Sequence, residues 1–279
     1  MGDCSEQLDV YLDAAFRHGA TEQKILSIFN HAASSTTGRM VRVGEHETLI
    51  RDSGGPGVPI VLIHALSMDE RMFQQLLPRL VDSGYRVLAY DLCGHGSARG
   101  APVTVSLEQL GADLLALLDA LNIPVADVAG ASDGGAVAQY VTLAAPTWIR
   151  SLFVMASSAQ GHPLLASRGS RAEAGEMPAL RTEAITRWFA PTTIADNTWC
   201  VRYARAQLDK IRIEEWAAAW RAMAKLNCLQ RIRDITCPIL VLDGAKDLSD
   251  SRIHDANSRR GKKRLGMRAT TLSWSTAQI

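Results

Sequence analysis

The sequence lacks a dominant charge: 30 Lys and Arg stand against 29 Asp and Glu, for a formal net charge of +1. Near-neutrality argues against nucleic acid as the main partner, because a phosphate backbone calls for a basic face. It also lacks any apolar run near the ~20 residues needed to cross a bilayer, so no membrane association is expected. The longest stretches, such as 58–66, have only strand length. The opening residues Met1-Gly2-Asp3-Cys4-Ser5-Glu6 carry acid and no basic n-region, so no secretory signal and a cytoplasmic location are expected. The five cysteines are odd in number and scattered, with no C-x-x-C pair. This excludes a disulfide framework and points to reduced, mostly buried thiols. His and Cys do not cluster at ligand spacing, so neither metal nor organic cofactor is expected.

What is present is the composition of a globular enzyme-sized chain: 279 residues, 47% hydrophobic and 21% charged. That is enough for one large core, or one core with a small lid. One stretch organises the rest, Val128-Ala129-Gly130-Ala131-Ser132-Asp133-Gly134-Gly135. A short apolar run precedes it and a helix-like run, 136–140, follows. Between them lies G-x-S-x-G, at Gly130, Ser132 and Gly134. Strand, pattern and helix in this order predict a nucleophile elbow, a tight turn that exposes the serine hydroxyl. The glycines let neighbouring backbone pass without Cβ clashes, and the helix aims its N–H groups at the place where an oxyanion would form.

Taken in order, residues 7–16 and a run from Thr21 to Phe29 predict two leader helices. Residues 40–43 and 48–52 predict a hairpin of two edge strands. Residues 58–63 read as a strand buried on both faces. A helix bearing Met72, Phe73, Leu76, Leu77 and Leu80 follows, then a strand over 85–90. Ser106-Leu107-Glu108-Gln109 is a capping box that opens a leucine-rich helix. After the elbow comes a strand over 151–156. From about 160 to 232 only helical periods occur, rich in Trp and Ala; Pro238–Gly244 then returns to strand character. Strands alternating with helices predict an α/β parallel sheet. The expected organisation is a helical leader over 1–37, a first core part over 38–159, a helical lid over 160–232, a second core part over 233–249, and a basic tail over 250–279 that carries Arg259-Arg260-Gly261-Lys262-Lys263-Arg264.

These residues resemble the α/β-hydrolase superfamily, and within it the group of 3-oxoadipate enol-lactonases. The likeness rests on 62–73, on Tyr90-Asp91-Leu92-Cys93-Gly94-His95-Gly96, on the leucine-rich helix over 107–123, on the elbow, and on Arg187-Trp188-Phe189 with Pro191. It covers roughly 40–247. It implies the α/β-hydrolase fold, a mostly parallel sheet flanked by helices, with a helical lid inserted after the sixth strand. It implies Ser132 as nucleophile, the backbone N–H groups of Leu66 and Asp133 as oxyanion hole, and Asp247 as the triad acid. His95 matches a histidine that holds a turn. Ala65 stands where the family has glycine, and its Cβ is expected to narrow the oxyanion loop.

The family's base histidine follows its acid by about 25–30 residues. Here that window, 273–279, holds none; His254 is the only histidine beyond Asp247 and the candidate substitute base. From about Asp250 the composition reads as a truncated or frame-shifted tail. The function expected is a serine hydrolase of a small ester or lactone, acting through an acyl-enzyme on a small-molecule substrate. The alternatives are a catalytically inactive hydrolase-fold binder, and a C–C-bond or natural-product tailoring hydrolase. Arg181 and Arg187 are the candidate cations under the lid for an acidic lactone.

Overall fold

The computed structural model describes residues 37–98 and 106–242. The two leader helices, Asp247, His254 and the basic run over 259–264 lie outside the described residues.

Seven strands form one sheet: β1 (Thr37–Val43), β2 (His46–Asp52), β3 (Val58–Ile63), β4 (Tyr85–Tyr90), β5 (Ala126–Ala131), β6 (Ile149–Met155) and β7 (Ile239–Leu242). Their order is β1-β2-β4-β3-β5-β6-β7. β1 and β2 pair antiparallel, as do β2 and β4, and every other pairing is parallel. The helices on the sheet are α1 (Leu77–Asp82), α2 (Leu107–Ala120) and α3 (Asp133–Ala144). After the sixth strand come α4 (Pro163–Arg171), α5 (Met177–Trp188), α6 (Pro191–Ala195), α7 (Trp199–Lys210) and α8 (Ile213–Ala224). This is the α/β-hydrolase fold. No helix among the described residues is long and apolar enough to cross a membrane.

The central strands are mostly apolar because helices cover both faces; the exceptions, Arg86 in β4 and Asp127 in β5, are ion-paired with Asp52 and Arg150. All six residues of β5 are buried. In α2 the buried side is Leu107, Leu110, Leu114, Leu117 and Leu118, the face that the 3.6-residue period selects. Ser106 caps that helix by accepting from the Gln109 N–H at 3.1 Å, half of the expected capping box.

Two expectations about elements are corrected. β2 is not an edge strand: its end, from Ile50 to Asp52, also pairs with β4. The helix expected across 72–80 is broken into a 3-10 turn at Glu70–Phe73 and α1. Pro78 has no N–H to continue a longer helix and is tolerated only in the first turn of a new one.

The helical insertion leaves and rejoins the core at one place. Gly161 N–H donates to the Leu226 carbonyl at 2.7 Å, and the N–H groups of Cys228 and Leu229 both donate to the Ala159 carbonyl. Gln160 and Asn227 form an antiparallel bridge.

Candidate active site

Ser132 sits between β5 and α3 with φ 51° and ψ −114°. This is backbone that an L-residue adopts at a cost of about 1–3 kcal/mol, so its surroundings must hold it. They do so on both sides. The Ser132 N–H donates to the Met155 carbonyl at 2.9 Å, and its carbonyl accepts from Ala136 N–H at 3.1 Å and from Ser157 Oγ at 2.6 Å. The pattern's glycines are set by close approach: a Cβ on Gly130 would stand 2.1 Å from the Gly134 carbonyl oxygen, and one on Gly134 would stand 2.2 Å from that of Ile63. No other residue fits at either position.

Ser132 opens onto an apolar cavity whose wall includes Ala65 and Leu66. Leu66 lies in a β-turn closed by the Met68 N–H donating to the Ala65 carbonyl at 3.0 Å, with Ser67 at φ 69°. Ala65, expected to narrow this loop, is in the cavity wall without positive φ. Its Cβ is therefore met without backbone strain. Asp133 is the first residue of α3, and an N–H at that position has no intrahelical acceptor. The structure thus brings Ser132, Leu66 and the Asp133 backbone to one place. The Asp133 carboxyl is buried with neither oxygen hydrogen-bonded, and burial pushes its pKa up to about 7.

His64 and His95 both hold the loops behind the turn. Leu92 N–H donates to His64 Nε2 at 2.9 Å. That nitrogen must then be the unprotonated one, so Nδ1–H donates to the Ala65 carbonyl, also at 2.9 Å. Burial keeps this imidazole below its usual pKa, in keeping with a neutral ring. His95 Nδ1–H donates to the Cys93 carbonyl at 3.0 Å, and its ring centroid lies 5.2 Å from that of His64. Asp91 closes the same region. Its carboxylate accepts from the N–H groups of Glu70 at 2.8 Å and Ser97 at 2.7 Å. Among the described residues no histidine lines the Ser132 cavity.

The insertion supplies the far wall: Trp188, Phe189, Trp199, Tyr203 and Trp220 all line the cavity. Tyr203 clamps α7 to the core. Its hydroxyl donates to Asp69 Oδ1 at 2.8 Å and accepts from the Asp69 N–H at 3.0 Å. The two candidate cations separate cleanly. Arg181 donates to the Leu208 carbonyl at 3.0 Å and pairs with Asp209, so it serves the helix ends. The Arg187 guanidinium lies 5.7 Å from the Trp220 ring centroid, with no carboxylate in ion-pair distance among the described residues. The residue as a whole is exposed, yet partial desolvation of its guanidinium, then the charge of Arg168, lowers its pKa to about 10. Arg168 itself lies 4.2 Å over Trp220. Sequence reasoning missed Arg168, Tyr203 and Trp220, whose roles depend on how α4, α7 and α8 pack.

Four of the five cysteines lie in described residues: Cys93 and Cys228 are buried, Cys200 and Cys237 half-buried, and none of them is in a disulfide. Cys4 lies outside.

Three similarities bear on this arrangement. The chain is 30% identical over 191 residues to 3-oxoadipate enol-lactonase 2 of Acinetobacter baylyi, covering 67% of this chain and 71% of that protein. The crystal structure of the enol-lactonase from Burkholderia xenovorans LB400 superposes with a TM-score of 0.72 at 25% identity, over 77% of this chain and 84% of that one. A hydrolase from Pseudomonas aeruginosa PA01 gives a TM-score of 0.71 at 28% identity, over 80% and 84%. The sequence model of the alpha/beta hydrolase family matches residues 60–271, a span that includes Asp247 and His254. With that match over more than half its length, the chain belongs to the alpha/beta hydrolase family.

Proposed function

We propose that the chain is a serine hydrolase that opens a small ester or lactone carrying a carboxylate. The observation that carries this reading is Ser132, held at positive φ and facing an apolar cavity beside the Leu66 turn and the start of α3. Ser132 Oγ attacks the substrate carbonyl carbon and gives its proton to a base. The negative charge that gathers on the carbonyl oxygen is met by the N–H groups of Asp133 and Leu66, each worth about 3 kcal/mol in such sites. The C–O bond to the leaving oxygen then breaks, leaving an acyl-enzyme and an alcohol; in a lactone the alcohol stays attached to the acyl group. Water, deprotonated by the same base, attacks the ester, and the acid leaves as Ser132 regains its proton. Asp247 is assigned as the acid of the triad and His254 as its base, both within the matched family span.

The lid role of 160–232 and the carboxylate of the substrate belong to the same proposal. Arg187 is exposed, stands next to the cavity-lining Trp188 with its guanidinium near the Trp220 ring, and has no acid partner among the described residues. The Trp220 indole N–H is buried with no acceptor. A substrate carboxylate at the Trp220 end of the cavity would accept from the indole N–H and lie on the side from which the Arg187 charge acts. The name of the Acinetobacter relative, an enol-lactonase, favours the lactone over the open ester.

A second reading, a binder without turnover, draws on the lack of any histidine among the described residues in the cavity wall. A fluorophosphonate probe separates the two. Stoichiometric labelling of the folded chain that disappears in Ser132→Ala and falls at least a hundredfold in rate in His254→Ala is the expected result. No labelling of folded protein overturns the hydrolase and leaves the binder. Labelling that ignores His254→Ala removes that residue from the mechanism.

A further inference from the structure

A cluster that has no part in the hydrolytic proposal gathers on the β2–β4 side of the fold. His46 at the start of β2, Cys93 in the turn after β4, and Asp113 in the middle of α2 bring one imidazole nitrogen, one sulfur and one carboxylate oxygen within 4.8 Å of one another. Segments far apart in sequence supply them, so no spacing motif announces the site. We propose that His46, Cys93 and Asp113 form a structural Zn²⁺ site.

Four observations support this. First, the donors suit the ion. Nitrogen, thiolate and carboxylate together favour Zn²⁺ over Mg²⁺ or Ca²⁺, which take oxygen shells. Second, the charges balance, since a thiolate and a carboxylate cancel a divalent cation in a place where uncompensated charge is costly. Third, Asp113 Oδ2 is buried with no hydrogen-bond partner, and its contact with His46 Nε2 is a loose 4.0 Å. A buried acceptor left in that state costs about 1–3 kcal/mol, and a metal bond removes the cost. Fourth, the carboxylate is already oriented, because its other oxygen accepts from Gln109 Nε2 at 2.8 Å. That is the supporting contact typical of metal ligands. The Tyr90 hydroxyl is also buried without a hydrogen-bond partner, and the charge of Asp113 acts on it.

Tetrahedral Zn²⁺ holds its ligand atoms about 3.3–3.7 Å apart, so the three side chains close by roughly 1 Å on binding. The Cys93 S–H bond is lost to a Zn–S bond and the proton passes to solvent. The His46 side chain is the more exposed of the two at 9% against 4% for Asp113, so the ion would enter past it. Once bound, the ion ties β2, the β4 turn and α2 together. The turn it holds is the one whose Leu92 N–H fixes His64, and through His64 the Ala65 carbonyl. The ion would therefore stiffen the support behind the Leu66 turn and take no part in chemistry at Ser132.

The test uses the full chain, stripped with chelator and dialysed against Zn²⁺ or Co²⁺. One equivalent of Zn²⁺ by mass spectrometry and a higher melting temperature are expected. Co²⁺ should give a near-ultraviolet thiolate charge-transfer band with visible tetrahedral bands. Cys93→Ala should abolish the charge-transfer band, and His46→Ala and Asp113→Asn should each weaken binding about a hundredfold. Cys237→Ala should change neither. Circular dichroism checks that each variant is folded. If the Cys93 and Asp113 substitutions fail to fold, the wild-type Co²⁺ spectrum and His46→Ala decide the matter. A Co²⁺ complex without the thiolate band, binding undiminished in His46→Ala, or no stoichiometric metal at all overturns the proposal.

Discussion

The elbow and the helical insertion face each other across one cavity and are held by different means. At the elbow the contacts are backbone on backbone: glycine Cα atoms lie where no Cβ fits, and Ser132 is fixed through its own N–H and carbonyl. In the insertion the contacts are side chains: Tyr203 on Asp69, and Arg168 and Arg187 over Trp220. The first wall has almost no freedom to change in sequence. The second can be altered one side chain at a time.

The contrast is broken most severely at Gly134. Gly134→Ala forces a Cβ against the Ile63 carbonyl at 2.2 Å, so a loss of about 3 kcal/mol or more is expected, read from the denaturant midpoint. An unchanged midpoint would mean that the elbow backbone is softer than argued.

Asp133→Asn comes next. The folded pKa of Asp133 is raised from 3.8 to about 7, so the native state holds a proton that the unfolded chain gives up. Its stabilising contribution is whole below about pH 4 and is lost as pH rises through 7. Asparagine, uncharged throughout, should flatten this slope and raise stability above pH 7 by up to about 4 kcal/mol, with melting curves at several pH values as the check.

In the insertion, Arg187→Met should leave stability nearly unchanged, since it removes an exposed charge with no carboxylate in ion-pair distance among the described residues. KM for an acidic lactone should rise about tenfold to a hundredfold, with little change for a neutral ester. Equal effects on both substrates would separate Arg187 from recognition of the carboxylate. Tyr203→Phe is the mildest change. It should cost about 1–2 kcal/mol, measured by chemical denaturation, because Asp69 keeps its Arg71 partner.

These two walls were also unequally legible in the sequence. The elbow is written in eight consecutive residues, and the local pattern of strand, glycine, serine and helix leaves little choice of geometry. The parallel strands and the buried face of α2 were readable for the same reason, since a period of 2 or 3.6 is a local property. What the sequence concealed depends on distant partners. Arg181 and Arg187 look alike in the chain, and only the packing of α7 and α8 gives one the Asp209 carboxylate and the other the Trp220 indole. The broken helix at 70–82 was misread because the apolar spacing ran on past Pro78. His46, Cys93 and Asp113 carry no local signal at all, which is why no metal was expected.

The bridge between Gln160 and Asn227, with Gly161 donating to Leu226, joins the two ends of the insertion at the sheet. The segment between those ends leaves and returns through this closed stem, and Tyr203 on Asp69 is a second tie to the core. A stem closed by backbone hydrogen bonds keeps the two ends of the insertion together whatever sequence lies between them, so a graft of residues 162–225 from a relative has both of its junctions at one point of the fold.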